Sequence, residues 1–126
     1  MKRNFFAAVL SALFLLVSSA ALADTKDFFE KELQNTLNVK DVTEIVESWV
    51  TDFGGTMNDV QAVAFMKEVT EELLKSSDEE IMKSIGDVVN EDPSVRLLVK
   101  HVGVRRVVKF WWECADYYEK EVIAKR

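Results

Sequence analysis

The sequence predicts an all-α protein, a compact bundle of five or six short helices that follows a cleaved N-terminal signal peptide. Three observations support this prediction. The chain contains one proline and four glycines, all after residue 23, so few positions break a helix. Three segments have the pattern of a capping box, in which two residues satisfy each other's backbone N–H groups at a helix start. Behind each segment, apolar residues recur at helical spacing.

The chain begins with the three parts of a bacterial secretory signal. Lys2 and Arg3 give a basic start, and an apolar run follows from Phe5 to Val17. Ala21-Leu22-Ala23 then places small residues where a signal peptidase requires them. We expect cleavage after this motif, so that residues 1–23 are removed.

Residues 24–126 would then form a single helical domain in the periplasm, although secretion beyond the periplasm is not excluded by the sequence. The alternative is an uncleaved anchor helix, since residues 5–23 barely reach the length of a membrane span. Loss of two basic residues leaves 14 basic and 22 acidic residues, a net charge of −8. Such a charge disfavours nucleic acid and anionic membrane surfaces as partners.

Start signals place most of the helices. Capping boxes lie at Asp41–Glu44, Asn58–Gln61 and Ser77–Glu80. Asp92-Pro93 starts a further helix, because proline at the first helical position loses no hydrogen bond. The predicted helices span residues 25–37, 40–53, 58–75, 78–90, 93–102 and 104–124.

Glycines mark two of the boundaries. Gly54-Gly55 should end the second helix, since glycine accepts the left-handed conformation that follows a last turn. Gly103 is either a kink or a break between the last two helices. Residues 95–108 are rich in β-branched residues and could form a strand instead, but they lack the turn signals of a hairpin.

The stretch VVKFWWECADYYEKE, residues 107–121, contains two tryptophans, the single cysteine and two tyrosines. On a helical wheel, Trp111 lies at the centre of an apolar stripe and should belong to the core. Trp112 lies on one shoulder of this stripe beside Arg105. Neighbouring helices could cover both shoulders, or the shoulder of Trp112 could stay open as an anchor for a partner protein. The other members of the stripe are Val104, Val107, Val108, Cys114, Ala115, Tyr118 and Val122.

A basic cluster adjoins this shoulder in an otherwise acidic chain. Its members are Lys100, His101, Arg105, Arg106 and Lys109. Its side chains could form surface ion pairs with the acidic helices, or they could dock an acidic partner. From the second interpretation we predict a partner-binding site formed by Arg105, Arg106, Lys109 and Trp112.

Few catalytic chemistries are available to this chain. His101 and Cys114 are its single histidine and single cysteine, thirteen residues apart and without an evident third orienting group. No metal-ligand spacing and no covalent haem motif occurs. We therefore expect no catalytic residues, no metal and no cofactor, and we expect Cys114 to be buried and unreactive.

The expected function is binding of another protein, as an inhibitor, an immunity-type protein or an accessory chaperone would do. The partner would carry acidic groups, and a homodimer is compatible with the same surface. The alternative is a bundle that holds a hydrophobic ligand or haem among Trp49, Phe65, Trp111 and Tyr118. An enzyme is the least favoured class.

Overall fold

A computed structural model describes residues 25–126, and this part of the chain is helical and contains no strand. The all-α prediction is confirmed, while the predicted signal peptide lies outside the described residues. None of the described helices has the length and apolarity needed to cross a membrane. The helices are α1 (Thr25–Asn35), α2 (Val39–Asp52), α3 (Asp59–Leu74), α4 (Asp78–Glu91), α5 (Pro93–Val102) and α6 (Val104–Tyr118).

Two of the three predicted capping boxes are present. Asn58 and Gln61 cap each other at the start of α3, and Ser77 and Glu80 do so at the start of α4. The start of α5 is also as predicted, because the Asp92 side chain accepts hydrogen bonds from the backbone N–H groups of the first turn.

The box predicted at Asp41–Glu44 is wrong. Asn38 is the N-cap of α2, and its side chain accepts a hydrogen bond from the backbone N–H of Asp41 at 2.9 Å. Its amide group also donates to the carboxylate of Asp41 at 2.9 Å. The helix thus begins at Val39, because Asn38 caps a free N–H group of the first turn, that of Asp41, the residue that the prediction had taken as the cap itself.

Gly103 separates α5 from α6. Its φ of 91° lies in a region that residues with a side chain rarely adopt, so the chain turns here instead of continuing as one kinked helix. The strand alternative for residues 95–108 is excluded, because they belong to these two helices.

Helix α6 is the centre of the bundle and packs against α2, α3, α4 and α5. Its predicted apolar stripe is buried from Val104 to Tyr118, whereas Val122 is only partly buried. Phe110, which is not a member of the predicted stripe, is also buried. One face of α6 therefore belongs to the core, and its opposite face carries the exposed Lys109.

The end of α6 continues into a π-helical turn, Glu119–Ile123. After this turn the Arg126 guanidinium reaches the carboxylate of Asp59 at the start of α3. The hydroxyl of Tyr118 donates a hydrogen bond to the same carboxylate at 2.7 Å. The C-terminal segment is thereby attached to α3 by polar contacts that the sequence pattern did not indicate.

Candidate protein-binding site

The three tryptophans of the chain occupy two environments. Trp49 and Trp111 are fully buried in the core, with 0% of their surface exposed. Trp112 is partly exposed, although it is the direct neighbour of Trp111. Adjacent residues of a helix point about 100° apart, so the core face that encloses Trp111 cannot also enclose Trp112.

Trp112 lies at the edge of α3. Its Nε1 donates a hydrogen bond to Oε2 of Glu71 at 2.9 Å, and the Nζ of Lys67 lies 5.6 Å from the centre of its ring. A cation at this distance is attracted to the ring face. Trp112 therefore has a defined orientation, and it retains an exposed part that a partner could cover.

Lys67 is itself held by two carboxylates of the C-terminal region. Its Nζ lies 2.7 Å from Glu119 and 2.9 Å from Asp116. Hydrogen bonds to Glu119 and Asp116 raise the pKa of Lys67 above its ordinary value, so this side chain is cationic at neutral pH. The network joins α3 to the end of α6 beside Trp112.

Arg105 faces the same neighbour, α3, but its guanidinium is engaged within the protein. Its Nε donates to Oδ1 of Asp78 at 2.9 Å. Its two terminal nitrogens donate to the backbone carbonyls of Leu74 and Ser76, at 2.8 and 2.6 Å. Arg105 thus connects the end of α3 with the start of α4.

Arg106 lies on the opposite side of α6. Its Nε donates to Oε1 of Glu30 on α1 at 2.9 Å, and its Nη1 donates to Oε1 of Glu113 at 3.2 Å. The side chain is 19% exposed. Its charge is therefore balanced by two carboxylates of the chain.

Lys109 lies on the solvent-facing side of α6 and is exposed. Within residues 25–126 it takes part in no ion pair or side-chain hydrogen bond. The four predicted site residues thus do not form one cluster: Arg105 and Trp112 face α3, Arg106 faces α1, and Lys109 lies between them. The structure instead brings Trp112 together with Glu71 and Lys67 of α3.

A shallow groove of about 270 Å³ runs along α6 next to Trp112. Its apolar walls are Trp112 and Tyr117 of α6 together with Leu37, which follows α1. The apolar pattern of the first predicted helix includes Leu37, but its place beside α6 was not predicted, because that depends on how α1 packs. The charged residues that border the groove are Glu113, Asp116, Lys120 and Glu121.

The two residues that could have provided other chemistry lie elsewhere. Cys114 is fully buried, and burial raises the pKa of its thiol well above the ordinary value. The ring of His101 stacks on that of Phe29, with centroids 5.0 Å apart and an angle of 13° between the ring planes. Among residues 25–126, no three His, Cys, Asp or Glu side chains are arranged to hold a metal ion.

The residues considered for a hydrophobic-ligand site are part of the packed core. Trp49, Trp111 and Tyr118 are buried there. Phe65 is partly buried and meets Phe53 edge to face, with ring centroids 5.4 Å apart.

The fold and the candidate site define a class, a small helical bundle whose central helix carries a partly exposed tryptophan. No family model, no curated protein and no solved structure matches this chain.

Proposed function

We propose that this protein is exported to the periplasm and acts by binding another protein, without catalysis. The observation that carries the proposal is the position of Trp112. Its side chain is partly exposed and follows, three residues later, the exposed Lys109, which forms no ion pair within residues 25–126. Tryptophan is enriched among the residues that dominate binding energy, because it buries a large area when a partner covers it.

The contact residues of the proposed site are Trp112 and Lys109, bordered by Arg105 and Arg106. Lys109 supplies a positive charge that carboxylates of the described chain leave unbalanced, which favours an acidic group on the partner. Arg105 and Arg106 have intramolecular partners, so their proposed part is to hold α6 in place relative to α3 and α1.

Export can be tested directly on the protein expressed from Met1. Mass spectrometry of the periplasmic fraction should show an N-terminus at Asp24. An intact Met1 in the membrane fraction would contradict both cleavage and the periplasmic location.

Binding is tested by capture from a periplasmic extract with four forms of the protein: wild type, Trp112→Ala, Lys109→Glu and Lys83→Glu. Lys83 is an exposed lysine of α4, so the last form has the same charge change on another helix. A specific partner should be captured about tenfold less well by the first two variants, the scale of losing one anchor residue. Equal capture by all four forms would place any partner contact elsewhere.

A further inference from the structure

We propose that the groove lined by Trp112 and Tyr117 binds an arginine side chain of the partner protein. The inference rests on the proposed function, because it names the chemistry of the partner group that contacts Trp112. Lys109 does not line this groove, so the acidic group proposed opposite Lys109 belongs to another part of the same partner.

Two aromatic side chains line the groove. Trp112 and Tyr117 of α6 are both partly exposed, and Leu37 adds a third apolar wall to a volume of about 270 Å³. Aromatic rings attract cations, and the planar guanidinium of arginine stacks on them. The walls therefore suit an occupant that is both flat and positively charged.

Two carboxylates of the groove keep an oxygen for an external donor. Oε1 of Glu113 accepts a hydrogen bond from Arg106 at 3.2 Å, and Oε1 of Glu121 accepts one from Lys125 at 2.7 Å. Within residues 25–126, the second oxygen of each carboxylate accepts no hydrogen bond. A guanidinium carries five N–H donors, which these two oxygens can accept.

The third carboxylate of the groove is already engaged. Oδ1 of Asp116 lies 2.9 Å from Nζ of Lys67, and Oδ2 lies 3.0 Å from Nζ of Lys120. Lys120 is the basic member of the described residues that line the groove. Its charge opposes an incoming cation, so its removal should improve the binding of arginine.

The charge beside the groove is also negative in balance. On α3, Glu71 accepts a hydrogen bond from the indole of Trp112, and Glu68 is exposed; neither forms an ion pair in the described part of the chain. Lys67, whose Nζ lies 5.6 Å from the centre of the Trp112 ring, is shared between two carboxylates. Arg106 is likewise shared between two carboxylates. This balance favours a positive group on the partner.

The end of α1 contributes in the same direction. Leu37 follows the last residue of this helix, Asn35, by two positions, and the last turn of α1 contains no basic residue. The C-terminal end of a helix has a partial negative charge, which stabilises a nearby cation. The backbone thus favours the same occupant as the side chains.

The experiment titrates protein expressed from Met1, purified as the cell processes it, with three capped tripeptides. Each has glycine at both ends and arginine, citrulline or glutamate at its centre. Citrulline keeps the planar shape of arginine without its charge. The NMR signal of the Trp112 indole N–H, identified by its loss in Trp112→Phe, should shift saturably with the arginine peptide alone. Added salt should weaken this binding, because the groove is open to solvent.

Three variants test the parts of the groove. Glu121→Gln should weaken binding of the arginine peptide by about threefold, the scale of losing one exposed ion pair. Tyr117→Leu keeps an apolar wall without the aromatic ring and should weaken binding by a similar factor. Lys120→Gln should instead strengthen binding by about threefold, which a variant with a damaged fold would not do.

Asp87→Asn is the matched control, since it removes an exposed carboxylate of α4 that does not line the groove and should leave binding unchanged. Circular dichroism melts of all variants would show that each one is folded.

An arginine peptide that leaves the indole signal in place would overturn the inference. Equal shifts with the citrulline peptide, a stronger response to the glutamate peptide, or weaker binding by Lys120→Gln would do the same. The proposed function would then depend on the capture experiment alone. Capture that ignores Trp112, with the arginine-dependent shift intact, would contradict the proposed function and leave the arginine site standing.

Discussion

The guanidinium of Arg105 pairs with the carboxylate of Asp78 across the turn between α3 and α4, with 2.9 Å between Nε and Oδ1. The same side chain donates to the carbonyls of Leu74 and Ser76, where α3 ends without a glycine cap. The last carbonyls of a helix lack partners within it, so Arg105 provides at α3 what a cap provides elsewhere.

Replacement of Arg105 by alanine should therefore lower stability as well as affect any binding. We expect a loss of about 1 to 2 kcal/mol, since the side chain makes several charge-assisted hydrogen bonds but is partly exposed. Arg105→Lys should retain only a fraction of the stability lost in Arg105→Ala, because an ammonium cannot reproduce the planar fork that reaches three acceptors. Urea denaturation of the two variants and wild type measures this, and an unchanged midpoint for Arg105→Ala would contradict it.

Trp111 should be essential for stability. It is fully buried at the centre of the core face of α6, so Trp111→Ala should cost on the order of 3 kcal/mol or more through lost burial and the cavity left behind. Trp112→Ala provides the matched control. The neighbouring indole is partly exposed, so its removal should lower stability by less. Thermal melts that rank the two variants in the opposite order would show that α6 is rotated relative to the core.

Cys114 should be unreactive in the folded protein. Its thiol is fully buried, and burial raises its pKa, so little of the nucleophilic thiolate is present and reagents cannot reach it. Modification by a thiol reagent should be slow in buffer and rapid in denaturant. Equal rates under the two conditions, or a dimer that disappears on reduction, would place this thiol at the surface.

The Tyr118–Asp59 contact should appear in the alkaline titration of the protein. Burial, together with the hydrogen bond donated to Asp59, raises the pKa of Tyr118 to about 12. The raised pKa stabilises the folded state fully below the ordinary tyrosine pKa of about 10, and this stability is lost as the pH rises towards 12. Ultraviolet difference absorbance should detect this late ionisation, and Tyr118→Phe should remove it.

Asp59 responds at the acidic end of the pH range. Hydrogen bonds from Arg126 and Tyr118 lower the pKa of Asp59. Its contribution to the stability of the folded state is therefore present above the ordinary aspartate pKa and is lost as the pH falls through the lowered value. Asp59→Asn should reduce the acid dependence of stability and also bring the pKa of Tyr118 closer to its ordinary value. A tyrosine titration identical to wild type would contradict the contact.

The positions of the helices and the buried face of α6 could be predicted because they depend on local information. Caps, glycines and apolar spacing act within a few residues, and Trp111, Cys114 and Tyr118 lie on the buried side that the wheel predicted. Local information failed at Asn38, where two polar residues three positions apart could each start a helix and the earlier one does so. Export is also predicted from local signals, and it stays a prediction because residues 1–23 lie outside the described range.

The candidate site could not be predicted as a unit, because its geometry depends on which helices flank α6. Arg105 and Arg106 are adjacent in the sequence, yet they reach acidic groups on opposite sides of the bundle, at Asp78 and at Glu30. Trp112 meets Glu71, a residue 41 positions earlier in the chain. A helical wheel gives the direction in which a side chain points, but only packing of distant segments decides what lies there. By itself the sequence determined which residues form helices and which face is buried, whereas the tertiary structure decided which charges are neutralised and that Trp112 stays partly exposed.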